Sequence, residues 1–300
     1  MSPTIAVGLD SSPESRAAAE WAAREAVLRG LPLKVVHVQE PVPPPTVLAL
    51  LGTESDQHWT EEIAAESAEG LRLRHPGLEV ITEERSGNAA EVLCEAADAA
   101  GLLALGSRGF GAIGGFTVGS VSLAVVAHAQ RPVVLVRAGE QAADEHRPDP
   151  AGVPSAATPF QPVVLGLDIR TPDETLLAFA FDAAARRETT LRVVHVWDEP
   201  PTSFYRFYGD AELYSTLVSK QAGALTEALH PWRRKFPDVD VVEASRCGSA
   251  AQVLVEASRD ASLVVVGRHI RTGRLGARIG HVAHAVVHHA AAPVAVVAHG

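Results

Sequence analysis

The feature that most constrains the fold of this chain is an internal repeat with a period of about 160 residues. Short segments of the first half recur in the second half in the same order, 158 residues later near the start and 161 residues later from Gly87/Gly248 onward. The matched pairs are VGLD at 7–10 with LGLD at 165–168, KVVHV at 34–38 with RVVHV at 192–196, Gly106 with Gly267, Gly119 with Gly280, and Pro132 with Pro293. A repeat of this length is the size of a whole domain. The sequence therefore predicts two related domains, at 1–138 and 162–300.

Each half alternates short β-rich runs with alanine-rich amphipathic stretches. Strand candidates lie at 4–9, 33–38, 78–84, 102–106 and 133–137, and again at 163–167, 191–197, 239–245, 263–267 and 294–298. Helix candidates of the first half lie near 13–29, 60–75, 88–100 and 119–130, and the second half has helices in the same places. Apolar strands that alternate with helices are typical of a mostly parallel sheet covered on both faces. Residues 139–161 are rich in Pro, Ala and charge without periodicity, which predicts a linker.

Composition excludes several classes of protein. The net charge is −10, with 18 Asp/Glu against 10 Lys/Arg in residues 1–140 and 15 against 15 in 161–300, so we expect no nucleic-acid binding. No apolar run approaches the roughly 20 residues of a membrane span, and we expect no membrane association. The N-terminus lacks a basic segment, so we expect no secretory signal. Cys94 and Cys247 form no CxxC motif, and a cytoplasmic location is expected.

A glycine-rich segment after the fourth strand carries the strongest functional signal. Residues 106–122 read GSRGFGAIGGFTVGSVS, with the spacing G-x2-G-x9-G-S from Gly106 through Gly109 to Gly119-Ser120. Glycines let a backbone approach phosphate oxygens, and the amides and dipole of a helix N-terminus attract an anion. The hydroxyl groups of Ser107, Ser120 and Ser122 and the charge of Arg108 add possible donors. The segment predicts a phosphate-binding site.

The same residues resemble the universal stress protein family in its tandem-domain form. The resemblance rests on Val7-Gly8-Leu9-Asp10, on Val36-His37-Val38, on Gly106, Gly109 and Gly119-Ser120, and on the strand that follows Pro132. It covers essentially the whole chain apart from the linker. It implies an α/β fold of two tandem Rossmann-like or flavodoxin-like domains, each with a five-stranded parallel sheet, and ATP binding.

The resemblance also implies roles for particular residues. Asp10 is expected near the ribose or adenine and the backbone of Val38 beside the base, with Gly8 on the same strand as Asp10. The triphosphate is expected at residues 106–111, which include Gly111, and at 119–122, which include Val121. The resemblance also allows magnesium to accompany ATP as a cofactor. By the same resemblance, the final strands, 132–137 and 293–298, are expected to pair chains into a homodimer.

The second half keeps only part of this pattern. The positions that match are Gly166, Asp168, Val196, Gly267 and Gly280. Ile270 replaces Gly109 and His281 replaces Ser120, while Arg268, Arg271, Arg274 and Arg278 concentrate positive charge in the loop. A β-branched residue is costly where φ is positive. Two interpretations stay open: a degenerate site kept for folding, or a phosphate site rebuilt around arginine.

Other patterns carry little weight. Gly109 to Gly114 spells G-x-G-x-x-G, but it follows the fourth strand rather than the first and lacks the acidic residue expected about 20 positions later. No Walker A lysine is present. His281, His284, His288 and His289 have helical spacing without a carboxylate or cysteine beside them, so no metal site is predicted.

The sequence thus favours an ATP-binding regulator of the stress response that acts through protein partners, which the sequence does not identify, and is not an enzyme. Two alternatives stay open. One is a slow ATP hydrolase or phosphotransferase at residues 106–122. The other is an interaction module that binds no nucleotide, in which the glycines serve only the geometry of the loop.

Overall fold

The chain forms two compact units, Met1–Gln141 and Ala142–Gly300. The structure is a computed structural model, and it describes residues 3–39, 57–107, 110–111, 115–116, 119–198, 211–270 and 279–300. Each unit contains five parallel strands and its own buried core.

In the first unit, the sheet is formed by β1 (Ile5–Leu9), β2 (Leu33–Gln39), β3 (Val80–Ser86), β4 (Leu102–Ser107) and β7 (Val133–Arg137), in the order β7-β4-β1-β2-β3. The helices are α1 (Pro13–Arg29), α2 (Gln57–Arg74), α3 (Ala89–Ala99) and α4 (Ser120–His128). A small antiparallel pair, β5 (Phe110–Gly111) and β6 (Gly115–Phe116), lies within the glycine-rich segment.

The second unit repeats this architecture. Its strands are β8 (Val163–Gly166), β9 (Leu191–Trp197), β10 (Val241–Cys247), β11 (Leu263–His269) and β12 (Val294–His299), in the order β10-β9-β8-β11-β12. Its helices are α5 (Glu174–Arg186), α6 (Ala211–Lys235), α7 (Ala250–Ala257) and α8 (His281–His289), with 3₁₀ turns at Ala142–Glu145 and Ser258–Asp260. The fold class predicted from the sequence is confirmed.

Local sequence signals explain where the helices begin and end. Ser12 caps α1 by accepting a hydrogen bond from the amide of Ser15, and Pro13 occupies the first helical position. Gly30 ends the same helix with φ = 63°, a left-handed conformation that glycine adopts without strain. Asn88 and Ser249 cap α3 and α7 at equivalent places. These signals fix the crossover helices that parallel strands require.

The helices form a layer on each face of each sheet, and this explains the continuous apolar strands. In the first unit α1 packs against β1, β4 and β7 and contacts α2, while α3 packs against β1 to β4 and contacts α4. All five residues of β1 are buried, and Trp21 of α1 is 1% exposed. Throughout the part of the chain that the structure describes, no helix is both long and apolar enough to cross a bilayer.

The segment predicted as a linker is more ordered than its composition suggests. His146 and Phe160 form an isolated antiparallel bridge, and the amide of Gln161 donates to the Glu145 carbonyl at 2.9 Å. Asp149 closes a turn between them, since its side chain accepts the amides of Ala151 and Val153 at 2.8 Å each. Most of these bonds involve the backbone, so amino-acid composition does not reveal them. The segment from Ala142 onward therefore folds as part of the second unit.

Candidate functional site

A cavity of about 560 Å³ lies at the carboxyl ends of β1, β2 and β4 in the first unit. Its walls come from those strand ends and from the first turns of α1, α3 and α4. In an open parallel α/β sheet, ligands bind at this end of the strands, near the point where the strand order reverses. Here the order reverses between β1 and β4, so the cavity occupies the position expected for a ligand.

One wall of the cavity depends on two glycines that allow close packing. A Cβ atom on Gly106 would lie 2.6 Å from the Glu14 carbonyl carbon and 2.7 Å from the Ser15 nitrogen. A Cβ atom on Gly8 would lie 2.7 Å from Cδ2 of Leu105. Because the first of these contacts is with backbone, Gly106 is needed to bring the first turn of α1 against the end of β4. This glycine shapes the cavity in addition to any direct contact with a ligand.

The first turn of α4 forms a second wall that suits an anion. Gly119 is the N-cap residue, and among the described residues no side chain caps this helix. Ser120 and Val121 line the cavity beside it, and the Ser122 hydroxyl donates to the Gly106 carbonyl at 2.9 Å. That bond fixes the helix start against the end of β4. Amides of an uncapped helix start, together with the helix dipole, favour a negatively charged ligand.

Asp10 lies between the end of β1 and the N-terminus of α1, and it lines the same cavity. Its Oδ1 accepts hydrogen bonds from the Ser12 amide at 3.1 Å and the Ser12 hydroxyl at 2.6 Å. Burial by itself raises the pKa of Asp10, but hydrogen bonds from Ser12 and Ser15 outweigh that effect and hold the pKa below its usual 3.8. Asp10 is therefore an ionised acceptor at neutral pH.

Apolar side chains complete the lining. They are Leu9, Val36, Val38, Ala89, Leu93 and Leu105. A cavity with one apolar end, one acceptor and one helix N-terminus is suited to a ligand with a planar apolar group, hydroxyls and phosphate.

The structure brings together most of the residues predicted for the first domain. Those that line one cavity are Gly8, Asp10, Val38, Gly106, Gly119, Ser120, Val121 and Ser122. Ser107 was predicted as a donor but is buried, with its hydroxyl donating to the Val136 carbonyl at 3.1 Å. It faces away because alternate residues of a strand point to opposite sides. Arg108 and Gly109 lie outside the described residues, and Gly111 belongs to β5, opposite Gly115.

Sequence reasoning missed half of the lining, namely Leu9, Ser12, Glu14, Ser15, Val36, Ala89, Leu93 and Leu105. Ser12 was recognised only as a helix cap. Its position two residues after a strand-end aspartate is a signal for a second role, because an Asp side chain commonly accepts a hydrogen bond from the amide two residues later.

The second unit has different contacts at the equivalent positions. A Cβ atom on Gly166 would lie 2.8 Å from Cδ1 of Leu254, and one on Gly267 would lie 2.5 Å from Nε2 of His299. The imidazole of His299 therefore fills space beside Gly267 that the α1 backbone fills in the first unit. Asp168 forms an ion pair with Arg170 at 2.7 Å. Val196 lies on β9, paired with Arg246 of β10.

Three further residues of the second unit were predicted to hold a ligand, namely Arg268, Gly280 and His281. Arg268 was expected to add charge to the loop, but it lies within β11 and is 3% exposed, so the strand runs further than predicted. Gly280 caps α8 without a side-chain bond, and His281 is its exposed first residue. The remaining loop arginines, Arg271, Arg274 and Arg278, lie outside the described residues.

The histidines of α8 do not form a metal cluster. His284 and His288 approach each other with ring centroids 4.4 Å apart. Burial, and then the neighbouring His288 and His289, lower the pKa of His284. Among the residues that the structure describes, no group of three His, Cys, Asp or Glu side chains is arranged to hold a metal ion.

Comparisons with known proteins agree with this architecture. A profile of the universal stress protein family matches residues 1–137 and 159–298. The chain is 34% identical over 304 residues to a universal stress protein of Mycolicibacterium smegmatis, covering 98% of this chain and 96% of that protein. It is 34% identical over 310 residues to one of Mycobacterium tuberculosis, covering 97% and 94%.

A solved structure extends the comparison to the fold. The crystal structure of a universal stress protein from Archaeoglobus fulgidus superposes with a TM-score of 0.70 and covers 100% of both chains, at 16% identity. At that identity the likeness concerns the arrangement of strands and helices.

Proposed function

This chain belongs to the universal stress protein family, and on that premise we propose that it is a regulator that binds ATP in the cavity of its first unit. One observation supports the proposal. A single cavity is lined by the N-terminus of α4, by the ionised Asp10 and by apolar side chains. Phosphate, ribose and adenine require these three environments.

Each part of the nucleotide has a proposed partner. The amides at the start of α4, from Gly119 to Ser122, receive the phosphates. Asp10 accepts a hydrogen bond from a ribose hydroxyl, as an acidic residue does in other nucleotide-binding α/β folds. Val36, Leu93 and the backbone of Val38 enclose the base. Magnesium is proposed only as a companion of the phosphates, because Asp10 is assigned to the ribose and no described group of three His, Cys, Asp or Glu side chains is arranged to hold a metal ion.

We propose that the nucleotide acts as a signal and is not turned over as a substrate. The described lining contains no lysine, arginine or histidine to stabilise a transferring phosphoryl group. Asp10 is a weak base because its pKa is lowered. Bound nucleotide would instead favour one arrangement of the loops around it, which protein partners in a stress response would recognise.

The first test is the identity and number of ligands bound. Protein purified under native conditions is expected to release an adenine nucleotide that mass spectrometry identifies, and calorimetric titration is expected to show ATP binding with and without magnesium. Retention of no nucleotide, together with no thermal shift on adding ATP, would favour the interaction module. Steady-state turnover near ~1 s⁻¹, lost in Gly109→Ala, would favour the enzyme.

We also propose that chains pair into homodimers, as the family resemblance implies. Light scattering coupled to gel filtration is expected to give twice the chain mass of 31.6 kDa. The monomer mass at micromolar concentration would contradict this part of the proposal and leave nucleotide binding unaffected.

A further inference from the structure

The two units present the same aspartate at the end of their first strand, but its carboxylate has different partners. Asp10 follows β1 and Asp168 follows β8 shortly after its end. Two residues further on, the first unit has Ser12 and the second has Arg170. This difference lies outside the glycine-rich segments, and it changes which carboxylate oxygens remain available.

In the first unit, Ser12 donates hydrogen bonds to only one carboxylate oxygen of Asp10. Both Ser12 bonds reach Oδ1, so Ser12 leaves Oδ2 unoccupied. Ser12 is itself fixed, because its hydroxyl accepts the Ser15 amide at 3.1 Å and its carbonyl accepts the Ser15 hydroxyl at 3.1 Å. The carboxylate is exposed and lines the cavity. Asp10 thus presents a fixed acceptor to the cavity.

In the second unit, Arg170 occupies both oxygens of Asp168. Its Nε lies 3.0 Å from Oδ1 and its Nη2 lies 2.7 Å from Oδ2, a bidentate pair. The hydrogen bond from Arg170 lowers the pKa of Asp168, and the same bond raises the pKa of Arg170. A ligand hydroxyl that is to bond to Asp168 must displace the guanidinium.

The start of the following helix explains how Arg170 reaches back. In the first unit the helix cap is Ser12 itself, so that side chain is held by α1. In the second unit α5 begins at Glu174 and is capped by Asp173, so residue 170 lies in the loop before the cap. The Arg170 side chain is 84% exposed and its bond to Asp168 is the contact that orients it.

We propose that the residue two positions after the strand-end aspartate, Ser12 or Arg170, determines whether each domain can bind the sugar hydroxyls of a nucleotide. Ser12 is a positioning residue that opens the first site, and Arg170 competes with the ligand in the second. This inference rests on the proposed function, because it assigns the nucleotide as the ligand of both sites.

The test uses the full chain and two nucleotides, ATP and 2′,3′-dideoxyATP, which lacks the sugar hydroxyls. Calorimetric titration of the wild type is expected to show one ATP bound per chain at a tight site, the cavity of the first unit. DideoxyATP is expected to bind there about tenfold more weakly, a difference of about 1.4 kcal/mol.

Arg170→Ser is expected to strengthen ATP binding at the second site by about tenfold and to leave the affinity for dideoxyATP there unchanged. Arg186→Ser is the matched control, because Arg186 also pairs with an aspartate, Asp182, at 2.9 Å in the same unit. It is expected to change neither affinity.

The reciprocal variant tests the first unit. Ser12→Arg is expected to weaken ATP binding in the first unit to the affinity that the wild type has for dideoxyATP. Ser12→Thr keeps the hydroxyl group and is expected to bind ATP like the wild type. Since Ser12 also caps α1, circular dichroism is used to check the helix content of both variants. The experiment on Arg170→Ser does not depend on this cap.

The outcomes separate the two proposals. If the wild type binds ATP but Arg170→Ser leaves the second site unchanged, or if the tight site does not distinguish ATP from dideoxyATP, this inference is wrong and the proposed function stands. If the wild type binds no nucleotide, both are wrong.

Discussion

At the scale of single residues, Gly106 and Gly267 occupy equivalent positions in the two units but leave room for different neighbours. Beside Gly106 the backbone of Glu14 and Ser15 approaches, and beside Gly267 the imidazole of His299 does. Backbone cannot give way as a side chain can, so the two glycines tolerate substitution differently.

Gly106→Ala is therefore expected to destabilise the first unit by about 1–3 kcal/mol, the usual effect of overpacking a core. Urea unfolding, with hydrogen exchange of α1 peptides to identify the unit concerned, measures the change. Gly101→Ala is the control, since the nearest atom to its Cβ is the Thr4 oxygen at 3.6 Å, and its effect is expected within about 0.5 kcal/mol. Equal effects of the two substitutions would contradict the packing role of Gly106.

His299 makes the stability of the second unit depend on pH. Burial is the main cause that lowers its pKa below 6.5. His269 and Arg268 lower it further, while Asp173, with Oδ2 3.9 Å from Nδ1, and the Gly300 backbone raise it. Because the folded pKa lies below the unfolded one, the unfolded state binds more protons, and stability falls as the pH drops below about 6.5.

Thermal unfolding of the second unit is expected to show this fall between about pH 7.5 and pH 5, and His299→Ala is expected to reduce it. Leu176→Ala is the control, since Leu176 also lies beside Gly267, 3.2 Å from its Cβ position, and carries no titratable group. It is expected to lower stability by a similar amount at both pH values. An unchanged pH dependence in His299→Ala would show that other groups cause it.

At the scale of elements, the start of α4 has two roles that one substitution separates. A carboxylate in the first turn of a helix stabilises it, whereas the same charge repels a phosphate. Ser120 is exposed at this position and makes no cap hydrogen bond.

Ser120→Asp is accordingly expected to raise the stability of the first unit by about 0.3–1 kcal/mol while weakening ATP binding at least about tenfold. Denaturation and titration calorimetry measure the two effects on the same protein. Ala151→Asp adds the same charge at an exposed turn of the second unit and is expected to leave ATP binding unchanged. Undiminished binding in Ser120→Asp would mean that the phosphates lie elsewhere.

At the scale of the whole molecule, the chain contains two cores that need not unfold together. Each unit has five parallel strands and its own buried residues, and a two-domain chain is not expected to unfold in a single two-state step. A ligand that binds one folded unit stabilises that unit.

Scanning calorimetry is expected to resolve two transitions. ATP at about 100 times its Kd is expected to add about 2.7 kcal/mol to the stability of the first unit only. Hydrogen exchange assigns each transition to a unit. Peptides from α1 and α3 report on the first unit, and peptides from α5 and α7 report on the second. An equal shift of both transitions would show that the second unit binds ATP as well.

How far the sequence predicts the structure depends on how local each feature is. The central strands and the start of α1 at Ser12-Pro13 follow the prediction closely. The outer strands β3 and β10 both lie two residues later than predicted, at Val80–Ser86 and Val241–Cys247. Each pairs with one neighbour, and only its first residue is buried, so its apolar signal is weak.

The candidate site divides in the same way. The repeat, the caps and the glycine spacing are encoded by residues near one another in the sequence, and by themselves they determined the two domains, the parallel strands and the segment proposed to bind phosphate. Only the tertiary structure decided that Ser107 faces away, that Arg170 neutralises Asp168, and that His299 fills the space beside Gly267. The physical reason is that side-chain direction and competition for one hydrogen-bonding atom depend on neighbours that only folding brings into contact.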